Sequence, residues 1–292
     1  MPAISVIMPT RRRNHLLGRA LRSLWNQSFK DFEVLLVDDN PSSSRVGHDL
    51  LLQPLLQDQR LRILENPIQR NAACARNCGL RSAKGEWITY LDDDDAYHPD
   101  KLDRQLACAQ ATKLPLGLCG LSYNLKGRRR VRQTGKKLFS GSEILLETTP
   151  GTPMLFHRNT GDVFFDETLD AGEDAHFFFR LVERFQVQEV FNVPAALVEV
   201  YPQPGARVNL NEAALWQATQ AVYQDFAPAF GEKAARVFLA RATIQKCKFG
   251  GGFSSLVHHT LVLLKITGGR DLRLLANVWL FKIHWLRPFL VS

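Results

Sequence analysis

The stretch Ile88–Leu102, ITYLDDDDAYHPDKL, sets four consecutive aspartates, Asp92 to Asp95, at the end of an apolar run. Adjacent carboxylates repel and raise one another's pKa. Two readings fit such a cluster: a solvated acidic or helix-capping turn, or a seat for a divalent cation. The run Trp87–Leu91 anchors the aspartates to a sheet and favours the second. Hard Mg²⁺ or Mn²⁺ takes oxygen ligands, usually one or two carboxylates plus substrate phosphates. Downstream, Pro99 and Asp100 mark a helix start.

Outward from the quartet, strand and helix patterns alternate. AISVIMPT (3–10), FEVLLVDD (32–39) and LRILEN (61–66) read as strands. HLLGRALRSLWNQ (15–27) puts Leu16, Leu17, Ala20, Leu21, Leu24 and Trp25 on one helical stripe, with Asn14 as N-cap. RNAACARNCGLRSAKG (70–85) reads as a helix ending near Gly85, with Lys84 suited to its C-terminal dipole. This alternation predicts a mostly parallel sheet covered by helices on both faces. Ligands of such sheets bind beyond the carboxyl ends of the strands. Pro9–Thr10, Asp38–Asp39 and Asp92–Asp95 all fall at such ends, so they are expected to converge.

The middle is less regular. LGLCGLSYNLK (116–126) and PMLFHR (153–158) read as strands, GRRRVRQTGKK (127–137) as a basic hairpin or loop, AGEDAHFFFRLVERF (171–185) as a helix, and VQEVFNVPAALVEVY (187–201) as one or two strands. After PQPGARVN (202–209) the pattern is helical to the end. The chain has no internal repeat and no low-complexity linker.

Bulk numbers narrow the function. The 292 residues are 45% hydrophobic and 23% charged, ordinary for a soluble globular protein. The formal charge of +8 suits a soluble basic surface or acidic partners: nucleotides, phosphates, nucleic acid, anionic lipid. The five cysteines, Cys74, Cys78, Cys108, Cys119 and Cys247, form no C-x-x-C pair and read as small buried hydrophobes of a reducing compartment. The first ten residues lack a charged region followed by a long apolar stretch, so a cytoplasmic location is expected. A calcium loop starting at Asp92 would place Tyr97 where glycine is needed and Asp103 where glutamate is usual. A nucleotidyltransferase would carry a glycine-rich turn after the first strand, where MPTRRRN stands. A D-x-D phosphatase has its aspartates after the first strand, not the fourth.

Four segments, ISVIMPTRRRN, QSFKDFEVLLVDDNPSS, NAACARNCGLRSAKGEWITYLDDDD and GEDAHFFFRL, in this order resemble family 2 glycosyltransferases from about Ile4 to about Tyr201. The resemblance implies an α/β GT-A fold, a Rossmann-like, mostly parallel sheet with helices on both faces, plus a helical C-terminal region. It implies a catalytic domain over 1–208, with a nucleotide-binding half to about 110 and an acceptor-binding half after it. It implies inverting transfer from a nucleotide-diphosphate sugar, foremost a UDP-sugar, to a hydroxyl of a saccharide or lipid-linked saccharide, with Mn²⁺ or Mg²⁺. Pro9 and Thr10 would line the nucleoside pocket. Asp39 would accept the base N–H, which suits uracil, thymine or the guanine edge but not adenine; Asp38 is its alternative. Arg76 and Arg70 would face the nucleotide. Asp94 would ligate the cation, Asp92 or Asp93 would join it or bind the ribose, and Asp95 would orient the next loop. Asp174 would be the general base, kept ionised by the helix N-terminus, with Glu173 as runner-up or acceptor contact. Arg207 would replace the family's basic or histidine-bearing loop on the diphosphate.

The Q-x-x-R-W segment of processive synthases is missing, which favours addition of one sugar or a few. Residues 209–292 read three ways: a membrane-interfacial surface through Trp279, Phe281 and Trp285 with Lys282 and Arg287, packing on the catalytic domain, or a homo-oligomer contact. Lys282 and His284 interrupt the last apolar run, so it is a poor membrane span. Two other readings compete: a nucleotidyltransferase acting on sugar phosphates, and a nucleic-acid-binding or scaffolding protein using GRRRVRQTGKK. That run lacks the interleaved aromatics of a nucleic-acid binder.

Overall fold

The first strand, β1 (Ile4–Thr10), is buried over almost its whole length, as expected of a β-branched run in a parallel sheet covered on both faces. In a computed structural model, the described residues are 1–125, 128–132, 135–140, 150–202, and 214, 217, 218, 221, 222 and 224–226. Arg207, Cys247 and the expectations for 227–292 lie outside them.

Helix α1 (Asn14–Trp25) buries Leu17, Ala20, Leu21 and Leu24, one stripe at helical spacing. Its N-cap is Arg13, without a side-chain cap. Asn14, expected as the cap, lies inside the first turn, where its Oδ1 accepts from Asn40 Nδ2 at 3.3 Å. Strand β2 (Phe32–Asp38), the one-turn helix α2 (Gln53–Leu56) and strand β3 (Leu61–Glu65) follow. Helix α3 (Ala72–Ser82) is capped by Asn71, whose side chain accepts from Cys74 N at 3.1 Å. It stops at Ser82, so Lys84 lies beyond its last turn. At Gly79 a Cβ would sit 2.5 Å from Ile7 Cγ2, so α3 approaches β1 more closely than any larger residue allows.

Strand β4 (Trp87–Tyr90) leads into the quartet, followed by the short β5 (Ala96–Tyr97) and α4 (Lys101–Thr112). The second half adds β6 (Leu116–Leu125), β7 (Arg128–Arg132), β8 (Leu138–Ser140), β9 (Phe156–Arg158), α5 (Glu173–Phe185) and β10 (Glu189–Val200). The sheet runs β3-β2-β1-β4-β9-β6-β10-β5, with β7 on β6 and β8 on β10. From β3 to β4 it is parallel. Beyond β4 it is mixed: β9 runs antiparallel to both neighbours, and β10 is parallel to β6 but antiparallel to β5 and β8. The turn Thr152–Met154 leads directly into β9. GRRRVRQTGKK does supply a hairpin strand, β7.

Two features tie the second half to the first. Phe165 and Phe177 stack at 3.8 Å, both edge-on to Tyr90, so α5 is fixed against β4. The Asn77 side chain donates to Phe165 O at 3.0 Å and accepts from Phe165 N at 2.8 Å, clamping α3 to the segment before α5. Cys74 and Cys119 are buried, Cys78 and Cys108 half-buried, and all four are free thiols. Among the described residues no helix is long and apolar enough to cross a membrane.

Candidate active site

Strand β1 has β2 on one side and β4 on the other, which makes the space beyond its carboxyl end a topological switch point. Thr10 lies opposite Asp38, and Asp39 N donates to Thr10 O at 3.0 Å. On the other flank Leu91 N donates to Ile7 O at 3.1 Å, which holds the quartet to the same edge. Thr10 Oγ1 donates to Asp93 Oδ2 at 2.8 Å. A cavity of about 420 Å³ opens here, lined by Pro9, Thr10, Asp39, Arg70, Arg76, Asp92 and Glu173 among others. These seven predicted residues therefore share one pocket. Asp93, Asp94 and Asp174 lie outside its lining.

The two β2 aspartates differ. Asp38 serves the turn: its carboxylate accepts from Asn40 N, Asn40 Nδ2 and Val46 N. Asp39 lines the cavity, accepts from Asn66 Nδ2 at 2.6 Å and lies 3.4 Å from Arg11 Nη1. Burial raises its pKa, against the Asn66 hydrogen bond and the Arg11 charge.

The quartet turns tightly, with Asp95 N donating to Asp92 O at 3.1 Å. Asp93 is fully buried, and burial drives its pKa up to about 7 despite Arg13 and Thr10. Arg13 spans its neighbours, 2.9 Å from Asp93 Oδ1 and 2.8 Å from Asp94 Oδ2. Asp94 is thus ion-paired with protein, and burial raises its pKa too. Arg19 caps the Asp94 carbonyl and lies over the Tyr201 ring. Asp95 accepts from Tyr201 N at 3.1 Å and is pushed to about 8, by burial first and then by Asp92 and Asp94.

Arg76 joins the quartet to α5. It donates to Asp92 Oδ1 at 2.9 Å and to Glu173 Oε1 at 2.8 Å, with its side chain only 7% exposed. Burial works against its charge, but Asp92 and Glu173 outweigh that and hold it protonated. Gly172 caps α5 at φ 73°, the left-handed region that favours glycine. Asp174 Oδ1 accepts from Ala175 N at 2.8 Å. The residue keeps some exposed surface, yet its carboxyl is crowded by protein, and burial followed by the Glu173 charge raises its pKa to about 7. The helix N-terminus does not keep it in the ordinary carboxylate range: one N–H and a shared Arg76 do not offset that crowding.

Sequence reasoning missed Arg11, Arg13 and Asn66. The two arginines are placed by Arg12, whose φ of 57° turns the chain so that Arg11 faces Asp39 and Arg13 faces the quartet, whereas Asn66 follows β3 and is held to the β2 end by its N–H on Asp38 O. Three adjacent arginines give no sign of that turn.

A divalent cation fits the charge at the site. Six carboxyl groups, Asp92 to Asp95, Glu173 and Asp174, stand against the guanidiniums of Arg13, Arg19 and Arg76, and four of the six have raised pKa values. Among the described residues no three His, Cys, Asp or Glu converge as a metal cage. A cation here would take one or two carboxylates and complete its shell with phosphate and water oxygens.

Comparison with known proteins agrees with this architecture. The family model for glycosyl transferase family 2 matches residues 5–165. The putative colanic acid biosynthesis glycosyl transferase WcaA of Escherichia coli is 29% identical over 66% of this chain and 72% of its own length. A Campylobacter jejuni GalNAc(5)-diNAcBac-PP-undecaprenol β-1,3-glucosyltransferase is 41% identical over 32% of this chain. The E. coli UDP-Glc:α-D-GlcNAc-diphosphoundecaprenol β-1,3-glucosyltransferase WfgD is 33% identical over 36% of this chain. The aligned stretches span only 30% and 40% of those last two proteins. Staphylococcus aureus TarS 1–349 in complex with UDP superposes with a TM-score of 0.65 at 20% identity, over 85% of this chain and 72% of that one. The mannosyltransferase PcManGT from Pyrobaculum calidifontis, in complex with GDP-Man and Mn²⁺, gives 0.55 at 16% identity, over 95% and 84%. These solved structures share the GT-A fold, and with the family match over more than half of its length the chain belongs to glycosyl transferase family 2.

Proposed function

We propose that this glycosyltransferase moves a sugar from a UDP-sugar to a hydroxyl of a lipid-linked saccharide, with inversion at the anomeric carbon. The observation that carries the reading is the meeting of Asp39 and the Asp92–Glu173 carboxylates in one cavity at the switch point. Asp39, with Asn66 fixing one oxygen, would accept the uracil N–H. Pro9 and Thr10 would flank the nucleoside, and Arg70 and Arg11 at the rim would offset diphosphate charge. The name of WfgD, with its UDP-Glc, supports the donor, and the undecaprenol-linked acceptors in the names of WfgD and the C. jejuni relative support the acceptor class.

Asp174 is assigned as the base because Glu173 is held by Arg76, whereas among the described residues Asp174 has no ion-pair partner and its pKa of about 7 suits proton transfer near neutrality. It takes the acceptor hydroxyl's proton while that oxygen attacks the anomeric carbon opposite the diphosphate. The bond to the diphosphate breaks as the new one forms, and UDP leaves with the electron pair. Glu173 would orient the acceptor. Asp92 and Asp94 would hold Mn²⁺ or Mg²⁺, which when bound supplies positive charge for the departing diphosphate. The catalytic unit is taken as residues 1–208, Arg207 as a further phosphate contact, and residues 209–292 as a helical appendage.

The test is proton NMR of the product formed from an α-linked UDP-sugar and a diphosphoprenol-linked saccharide. A β-linked product supports the reading. Retention of configuration, or transfer of a nucleotidyl group to a sugar phosphate, overturns it.

A further inference from the structure

Strand β7 carries the sequence RRRVR, exposed at every position. Its register sets Arg128, Arg130 and Arg132 opposite Leu125, Tyr123 and Leu121. Paired residues share a face, so three guanidiniums line one side of the ribbon, about 7 Å apart. Arg13, Arg60, Arg62 and Arg76 are all ion-paired with carboxylates. Among the described residues Arg128, Arg129, Arg130 and Arg132 have no such partner. A charged edge resists unwanted strand pairing, but charge of either sign does that. Four cations of one sign without a counter-charge build a local field that draws anions.

The location gives the field a use. Arg130 is opposite Tyr123, Tyr123 is opposite Val200, and the next residue, Tyr201, binds Asp95 through its amide. Two strand spacings, about 10 Å, therefore separate β7 from the β10 end that braces the quartet.

We propose that the arginine face of β7 docks this protein on an anionic bilayer and so brings the cleft to a lipid-linked acceptor. The proposal rests on the acceptor class argued above. Guanidinium forks match lipid phosphates bidentately. Leu125 shares the arginine face and is 38% exposed, apolar surface suited to the headgroup boundary. A single-stranded nucleic-acid site would offer a row of open aromatic rings for stacking. The described residues of this face hold one, Tyr123, and it is half-buried.

The test is flotation of the full chain with phosphatidylcholine vesicles, with and without phosphatidylglycerol. The full chain is expected to float only with the anionic vesicles, and less as salt rises. R128Q/R130Q/R132Q should weaken binding on the order of a hundredfold, from about fivefold per charge, while R128K/R130K/R132K retains most of it. UDP-sugar hydrolysis in water should be unchanged in both. If the triple glutamine variant melts early, R130Q alone should show the fivefold loss. Equal binding by the glutamine variants, equal binding to neutral vesicles, or tighter binding of a single-stranded oligonucleotide through the same arginines overturns the proposal. A chain that floats but transfers no sugar keeps the surface and removes the enzymatic reading. One that glycosylates a detergent-dispersed acceptor but does not float does the reverse.

Discussion

Replacing Arg76 by methionine should damage stability and proton transfer together. Its guanidinium lies between Asp92 and Glu173 at 2.9 and 2.8 Å, with side chains 28% and 16% exposed. Breaking a buried ion pair from one side costs about 3–5 kcal/mol. Both carboxylates reach water in part, which places this case at the lower end, about 3 kcal/mol. For a domain of this size 1 kcal/mol shifts Tm by about 2–4 °C, so a fall of about 6–12 °C is expected in differential scanning calorimetry. The second effect is on Asp174. Burial and Glu173 raise its pKa to about 7 while the Arg76 charge pulls it down. Without Arg76 the pKa rises further, so the acid limb of the kcat profile moves to higher pH, because the base must be deprotonated to act. Arg76→Lys keeps a charge but loses the two-armed geometry, and should fall between. An unchanged Tm with an unmoved acid limb would refute both the bridge and the role of Asp174.

Asp174→Asn should lower kcat by about 10²–10⁴ while leaving UDP affinity, read by calorimetric titration, near that of the parent. Gly79→Ala drives a methyl into Ile7 and should cost about 1–3 kcal/mol in thermal denaturation, with no change in metal dependence. His157, fully buried and hydrogen-bonded to Tyr90 Oη at 2.9 Å, has its pKa lowered to about 4 by burial. An unfolded histidine takes up its proton near pH 6.5, and the folded one does not until about 4. Stability is therefore lost as pH falls through that window, by about 3 kcal/mol in all. The double variant His157→Phe with Tyr90→Phe should flatten that acid slope in urea titrations at pH 4 to 7; a slope as steep as the parent's would contradict it.

The parallel half of the sheet was legible because each strand is a short apolar run between turn residues, and because ligand chemistry collects at strand ends. Pro9, Asp39 and Asp92 were placed together on that rule alone. The antiparallel course of β9 was not legible, since PMLFHR has the same apolar pattern in either direction. Arg13 was hidden for a different reason: its role depends on one backbone dihedral at Arg12. The pKa of Asp174 escaped because it is set by crowding from the segments around α5, whereas the sequence shows only a helix N-terminus. Asn77 reads as an ordinary helix residue, and its clamp on Phe165 spans 88 positions.

That the aspartate edge holds a nucleoside diphosphate together with a divalent cation is the proposal on which the mechanism stands. It is tested most directly by a thermal-shift comparison of UDP, GDP and ADP, each with and without Mn²⁺. UDP with Mn²⁺ should raise Tm most, with about 2.7 kcal/mol of stabilisation at a hundredfold excess over Kd, and Asp92→Asn should abolish the metal's share. A chain that responds equally to ADP and UDP, and not at all to Mn²⁺, would contradict the account.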